Sequence, residues 1–424
     1  MKAWVVAVDM GYGHQRAAYP FHDIAYERIL TANSDKIIVP AEQRRWQRSE
    51  MLYEWLSRFK TFPIIGSWLW KQYDKLQRIL PLYPYRDLSF PTLSVLYLRW
   101  LIKRGFCRSV IDYVKKQPEY PLLTTFFVTG VAADYHGIHP IFCIVTDTDI
   151  NRIWVPKDPK TSNIIYFAPC KQTVTRLTEY GVPKKNIILT GFPLPKELVG
   201  GRSLRIAKKN FANRMVNLDP QKDFIKTSSQ ISGKGFKGQR THPLTLTYVV
   251  GGAGAQIEIG TKILKSLKEF ILQGVIRVNL VAGTRIEVKN DFDDAITGLG
   301  LGREAGKGVR VVFELSKLDY FRQFSKTLET TDILWTKTSE LSFYTALGIP
   351  IICAPPIGSH EYFNRKWLQQ MGSGLSQEDP EYTHEWLFDW LERGIFAKAA
   401  FDGYTLAPKL GTYNIESYIS RTTS

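Results

Sequence analysis

The sequence predicts an α/β protein with two doubly wound parallel sheets. Three observations predict it. Short apolar runs alternate with longer amphipathic ones, the pattern of parallel strands joined by crossover helices. The alternation starts afresh near residue 243. The chain has 424 residues, too many for one ordinary core and a natural length for two.

In the first half, Ala3–Val8, Lys36–Val39, Thr124–Val128, Ile141–Thr146, Asn163–Phe167 and Asn186–Leu189 read as strands. His14–Leu30 and Lys171–Tyr180 read as helices. In the second half the strands are Leu244–Val250, Ile276–Val281, Val309–Phe313, Ile333–Trp335 and Ile349–Cys353. Helices are expected near Gln256–Leu272, Leu318–Leu328, Ser339–Leu347 and Glu361–Met371. From Tyr382 to Arg393, Trp386 and Trp390 stand four apart, on one face of a docking helix. These readings divide the chain into an N-terminal domain (1–199), a linker (200–242), a second domain (243–381) and a C-terminal helix and tail (382–424). The later part of the linker, rich in Lys, Ser and Gly, reads as flexible. Packing of the tail on the N-terminal domain is an open option.

Hydrophobic residues make up 44% and charged residues 23%, which excludes a disordered chain. The formal net charge is +16, so anionic partners are expected. The cysteines Cys107, Cys143, Cys170 and Cys353 show no zinc or redox spacing and read as reduced packing residues. No metal site is expected. The start of the chain lacks a signal-peptide pattern, and no apolar stretch approaches the roughly 20 residues that span a bilayer. The expected location is cytoplasmic, with contact to a membrane surface.

That contact is suggested by a region from Arg44 to Arg108, where an insertion at about 44–116 interrupts the alternation. Trp55, Trp68, Trp70, Tyr73, Tyr83, Tyr85, Tyr97 and Trp100 stand among Arg44, Arg45, Arg48, Arg58, Lys60, Lys71, Lys75, Arg99, Lys103 and Arg104. Trp and Tyr favour the headgroup level of a bilayer, and Lys and Arg attract anionic lipid. Core helices with basic outer faces fit the same composition equally well, and stacking on single-stranded nucleic acid fits it less well.

Five motifs carry chemistry. The first strand leads through Gly11-Tyr12-Gly13-His14 into a helix, placing an imidazole where exposed amides gather. Arg16 stands where a dinucleotide fingerprint would have its last glycine, which argues against such a site. The first strand of the second half ends in Gly251-Gly252-Ala253-Gly254, a turn suited to a phosphate. A further turn, Ala282-Gly283-Thr284-Arg285, adds a cation. Thr336-Lys337-Thr338-Ser339-Glu340, with Ser339 as a candidate helix cap, and Ser359-His360-Glu361, with Asn364 a turn later, follow two further strands.

The order of these motifs resembles the two-domain GT-B glycosyltransferases, in particular the branch of monogalactosyldiacylglycerol synthase and the peptidoglycan N-acetylglucosaminyltransferase. The family signature Gly-x-Gly-His-x-x-Ala-Ala stands at Gly11 to Ala18, and a Thr-Asp segment stands at Thr146-Asp147, followed by Trp154. The end of the first domain is similar at Gly181 to Leu194. The donor segments fall at Gly251 to Gly254, Thr336 to Glu340 and Ser359 to Asn364. The resemblance implies two Rossmann-like domains facing across a cleft. It implies an inverting transfer of a sugar from a nucleotide-diphosphate donor, UDP-sugar by family habit, to a lipid or lipid-linked acceptor at the inner membrane face, as in glycolipid or cell-envelope synthesis. No cofactor or nucleic acid is implied.

Under that resemblance His14 is the catalytic base, with Asp147 as a second catalytic candidate and Gly11 and Gly13 in the acceptor-side loop. Gly251, Gly252, Gly254, Gly283, Arg285, Lys337, Thr338, Ser339, Glu340, Glu361 and Asn364 bind the donor. Thr338, Ser339 and Glu340 depart from the small residues usual there. Thr345 falls where a carboxylate often holds the ribose, with Glu340 a substitute one turn earlier. A sugar-nucleotide epimerase of the same fold and a non-catalytic sugar-nucleotide-binding protein are the alternatives.

Overall fold

The computed structural model describes residues 1–47, 79–226, 238–251, 254, 256–356 and 358–423. Arg48, Trp55, Arg58, Lys60, Trp68, Trp70, Lys71, Tyr73 and Lys75 of the aromatic region, Gly252, and residues 227–237 of the expected linker lie outside them. The chain divides into two compact units. Unit 1 is Met1–Pro193 with Leu410–Ser424, and unit 2 is Leu194–Lys409.

Unit 1 carries strands β1 (Ala3–Ala7), β2 (Ala25–Thr31), β3 (Leu122–Thr124), β4 (Ile141–Ile144), β5 (Ile164–Ala168) and β6 (Ile187–Leu189). They form one parallel sheet in the order β2-β1-β3-β4-β5-β6. Successive side chains of a strand point to opposite faces. Accordingly Trp4, Val6 and Val8 enter one apolar cluster, and Val5 and Ala7 enter another. The first cluster is closed by Leu98 and Ile102 of the helix Leu93–Lys103, by Val110, Ile111 and Val114 of Arg108–Val114, and by Val128, Val131 and Ala132 of Phe127–Tyr135. The second is closed by Ile415 and Ile419 of the helix Gly411–Thr423. Tyr418 of that helix meets Phe142 and Phe167 edge-on, with centroids 6.1 and 5.6 Å apart.

Three expectations are corrected here. The helix predicted over His14–Leu30 is a short helix Gly13–Ala18 and a 3-10 turn Tyr19–Phe21, then β2. Pro20 lacks the amide that would continue the helix, and β2 lies at the sheet edge, where Glu27 and Arg28 face water. The strand expected at Lys36–Val39 forms no sheet pairing. The strand expected at Thr124–Val128 ends at Thr124, whose Oγ1 accepts from the Phe126 amide at 3.1 Å and turns the chain into the helix Phe127–Tyr135.

Unit 2 carries β7 (Leu244–Val249), β8 (Ile276–Gly283), β9 (Val309–Phe313), β10 (Ile333–Lys337), β11 (Ile351–Ala354) and β12 (Gly374–Ser376). Their order is β12-β11-β10-β7-β8-β9, again all parallel. The helix Ile257–Leu272 buries Ile259, Ile263, Leu264, Leu267 and Ile271, a 3.6-residue stripe, against this sheet. The segment predicted as the helix Ser339–Leu347 is a 3-10 helix, Glu340–Leu347. Two Rossmann-like units, each a parallel sheet flanked by helices, make up the GT-B fold class expected from the sequence.

Part of the expected linker is structured. Arg205–Leu218 is a helix whose Phe211, Met215 and Leu218 join the core of unit 2. Its Arg214 is fully buried and donates to the carbonyls of Thr331 (2.7 Å), Leu347 (2.8 Å), Gly348 (3.4 Å) and Leu328 (3.3 Å). Leu328 ends the helix Lys317–Leu328, and Leu347 ends the 3-10 helix. The guanidinium thus satisfies carbonyls at two helix C-termini, where the backbone dipoles favour a cation. Burial pushes its pKa down only to about 10, so it stays charged at neutral pH.

Beside it, Asp332 is wholly buried at the start of β10. Its Oδ2 accepts from the Thr245 amide and the Asn217 amide group, both at 2.9 Å, and lies 3.6 Å from His242 Nδ1. Burial raises its pKa to about 7, against the opposing pull of Arg214 and Arg240. An unfolded Asp titrates near 3.9, so folding takes up a proton between about pH 4 and 7. The contribution of Asp332 to stability therefore falls as pH rises through that window, by up to roughly 1.4 kcal/mol per pH unit. Burial also holds the His242 pKa below its ordinary value, which acts in the opposite sense. Comparison with Asp332→Asn isolates the contribution of Asp332. Denaturant titrations should show the stability of the variant gaining on wild type as pH is raised from 5 to 7. A pH-independent difference would disprove the assignment.

Candidate functional site

Open parallel sheets bind ligands at the carboxyl ends of their strands, where the chain reverses its direction of travel across the sheet. In unit 1 that reversal lies between β1 and β3, and in unit 2 between β7 and β10.

At the first, His14 sits in the opening turn of Gly13–Ala18. Its Nδ1 lies 2.6 Å from the Thr125 carbonyl, just past β3, and Thr125 Oγ1 donates back to the His14 carbonyl at 2.9 Å. A carbonyl can only accept. The contact therefore places the proton on Nδ1 and makes Nε2 the basic nitrogen of the neutral ring. The rings of Phe126 and Trp154, at 5.0 and 6.2 Å, fix the tilt of the imidazole. Gly11 adopts φ +85°, which a side chain would strain. Gly13 is the first helical residue.

Asp147 follows β4 on the same edge and is half-buried, and its carbonyl accepts from Thr173 Oγ1 at 3.3 Å. The neighbouring Asp149 is the buried carboxylate. Arg176 holds it with two hydrogen bonds, of 2.7 and 3.0 Å, and also binds Glu179 at 2.9 Å. Burial works against the charge on Arg176, but these carboxylates outweigh it and raise its pKa. This trio is structural, holding the helix Lys171–Glu179 to the loop after β4.

At the second reversal, Lys337 ends β10 and crosses over Gly251, which follows β7. A Cβ on Gly251 would stand 2.5 Å from Lys337 Cε, so no larger residue fits while Lys337 keeps this path. Lys337 Nζ donates to Glu361 Oε1 at 2.6 Å, and buried Thr338 Oγ1 donates to the Glu361 carbonyl at 2.6 Å. Glu361 and Asn364, one turn apart on the helix Ser359–Gln370, are both buried. Four predicted residues, Gly251, Lys337, Thr338 and Glu361, thus form one cluster. Ser339 caps the following 3-10 helix through Leu341, and Glu340 is buried.

Gly254, at φ +74°, lies 3.9 Å from Arg285 Cδ by its would-be Cβ. Gly283 has φ +72°, and Arg285 pairs with Glu287 at 3.3 Å at the mouth of the helix Ile286–Gly298. Thr345, at the position where a carboxylate often holds the ribose, is fully buried, and a Cβ on Gly403 would stand 2.0 Å from its Oγ1.

Sequence reasoning missed Thr125, whose carbonyl orients His14, and Gln256. Gln256 takes φ +69° and reaches the Pro355 carbonyl at 3.2 Å, joining the loops after β7 and β11. Polar Thr124-Thr125 at the end of an apolar run was the available signal for the first. Among the described residues no group of three His, Cys, Asp or Glu is placed to hold a metal, and no helix is long and apolar enough to cross a membrane.

No family model matches the chain. It is 20% identical over 242 residues to the processive diacylglycerol beta-glucosyltransferase of Bacillus subtilis, a match covering 56% of this chain and 50% of that protein. The chain thus spans about half the length of the curated relative it matches. Among solved structures it is similar to the UDP-GlcNAc 2-epimerase of Neisseria meningitidis, with TM-score 0.46 and 14% identity over 80% of this chain and 84% of that one. It is also similar to a glycosyltransferase of Rickettsia africae, with TM-score 0.42 and 10% identity over 99% and 98% of the two chains.

Proposed function

We propose that this protein is an enzyme acting on a nucleoside-diphosphate sugar. The observation that carries the reading is Lys337 lying over Gly251 at the reversal point of unit 2, with its ammonium on Glu361. A bare backbone turn beneath a lysine suits a diphosphate, which takes amide hydrogen bonds below and a cation above. Glu361 and Asn364 then meet sugar hydroxyls, Glu340 the ribose, and Arg285 the outer phosphate.

Two reactions suit this seat. In glycosyl transfer an acceptor hydroxyl attacks the anomeric carbon, the bond from that carbon to the diphosphate oxygen breaks, and Nε2 of His14 takes the hydroxyl proton. The curated match supports transfer, with a lipid or lipid-linked acceptor. In epimerisation one carbon–hydrogen bond of the sugar breaks and re-forms on the other face, with His14 as proton acceptor. The likeness to the Neisseria epimerase motivates this second reading. In either reaction Asp147 is the second candidate.

Thermal shift against a panel of nucleoside diphosphates tests the shared claim. UDP is expected to raise the midpoint. Gly251→Val, by displacing Lys337, should weaken binding by about 10- to 100-fold, the loss of one charge-assisted contact. Silence across the panel would refute the reading. Incubation with UDP-sugar alone then separates the reactions: an epimerase returns an inverted sugar nucleotide, and a transferase releases UDP only on supply of an acceptor.

A further inference from the structure

We infer that unit 1 binds a carbohydrate in the cavity between the loop 80–89 and the helix Lys171–Glu179, away from the strand ends that carry His14. The loop has no regular secondary structure, yet buried charged groups pin it along its length. Arg176 donates to the Leu80 carbonyl at 2.5 Å, and Arg152 to the Ser89 carbonyl at 2.8 Å. Glu179 Oε1 accepts from the Arg86 amide at 3.3 Å. A Cβ on Gly181 would stand 2.8 Å from Ser89 Cβ, so the loop and the end of the helix meet closely. A loop held in this way presents its side chains already ordered, and a ligand need not meet that entropy cost. The side chains presented are Tyr83 and Tyr85, each 63% exposed, with ring centroids 5.1 Å apart and planes tilted by 54°. Tyrosine offers a large amphipathic contact surface at little cost in rotamer freedom.

The cavity has a volume of about 720 Å³, which suits a small-molecule ligand. Its lining joins the Tyr85 ring to two cations, Arg86 and Lys160, two carboxylates, Asp87 and Glu179, and the hydroxyl of Thr178. These charges balance, so the cavity does not select an anion, although the whole chain carries +16. A pyranose ring answers both parts of this lining. Its C–H face covers an aromatic ring, and the hydroxyls at its rim donate to carboxylates and accept from Arg and Lys. A proline-rich peptide also packs on tyrosines, but it brings few donors for the carboxylates, which would lose water without replacement. The helix Lys171–Glu179 runs from the carboxyl end of β5 to the amino end of β6, and the cavity lies on its later half. The site therefore sits toward the opposite end of the sheet from His14 and holds a glycan without reacting with it.

The inference goes beyond the sugar-nucleotide reading, and its test needs neither a nucleotide site nor turnover, so either can fail without the other. The full chain is mixed in turn with maltotriose, cellotriose and tri-N-acetylchitotriose, and saturation-transfer NMR reads binding. At least one trisaccharide should show transfer, strongest at its ring C–H protons, and excess UDP should not displace it. Tyr85→Ala should bind that sugar at least about tenfold more weakly. Tyr85→Phe, which keeps the ring, should retain most of the affinity. Circular dichroism and melting of both variants should match wild type, because the Tyr85 side chain faces water. Silence from all three sugars overturns the inference, as does a signal that Tyr85→Ala leaves unchanged or that UDP removes. A proline-rich peptide that binds where the sugars do not also overturns it, since the tyrosines would then serve a protein partner. Should Tyr85→Ala melt early, Thr178→Arg decides the same question by filling the cavity from an exposed helix position: binding should be lost, and retained binding overturns the inference.

Discussion

Arg214→Met should leave unit 2 close to unfolded. Four carbonyls share that guanidinium, and a methionine offers them no donor. Each buried acceptor left unmet costs on the order of 1 kcal/mol or more, so the sum reaches roughly 4 kcal/mol. Domains of ordinary size hold only about 5–15 kcal/mol in all. The loss falls at the ends of two helices at once, so it acts on the whole unit and not on a frayed edge. Arg214→Lys should recover only part, because one ammonium cannot span the same fan of carbonyls. Calorimetry and soluble yield report the outcome. A midpoint within about 2 °C of wild type would show that water replaces the guanidinium without penalty.

His14→Ala is expected to slow turnover of the bound sugar nucleotide by about 10²- to 10⁴-fold, the usual loss on removing a general base. Nucleotide affinity should be unchanged, because the proposed diphosphate contacts come from Gly251 and Lys337 and none from His14. Thr125→Val, which removes the hydrogen bond to the His14 carbonyl but keeps the Thr125 carbonyl, should cost less than the alanine variant. Single-turnover rates with saturating sugar nucleotide separate the two effects. Turnover of His14→Ala within tenfold of wild type would remove the imidazole from the reaction.

Most strands were legible because parallel strands buried on both faces are short apolar runs, as in Ala3–Ala7 and Ile141–Ile144. The edge strand β2 was not. Its outward Glu27 and Arg28 imitate the polar face of a helix. The junction of β3 with Phe127–Tyr135 was hidden in a run of apolar residues without period, where strand and buried helix look alike. The helix Arg205–Leu218 escaped because a basic stretch reads as solvated, and nothing local to Arg214 announces that its partners lie more than a hundred positions away. The site followed the same logic. His14, Gly251, Lys337 and Glu361 were each visible as residue types at strand ends. That Lys337 crosses Gly251 depends on β10 lying beside β7, a matter of strand order that no single segment contains.

The helix Gly411–Thr423 gives unit 1 an unusual birth order. Its Ile415 and Ile419 cover the sheet face bearing Phe142 and Phe167, yet they are translated only after the whole of unit 2. During synthesis the first 193 residues must wait with that face covered only in part, by Ala18, Phe21 and Ile24, while the later unit is contiguous in the chain. A premature stop after Lys409 would therefore cripple the half of the molecule that was made first.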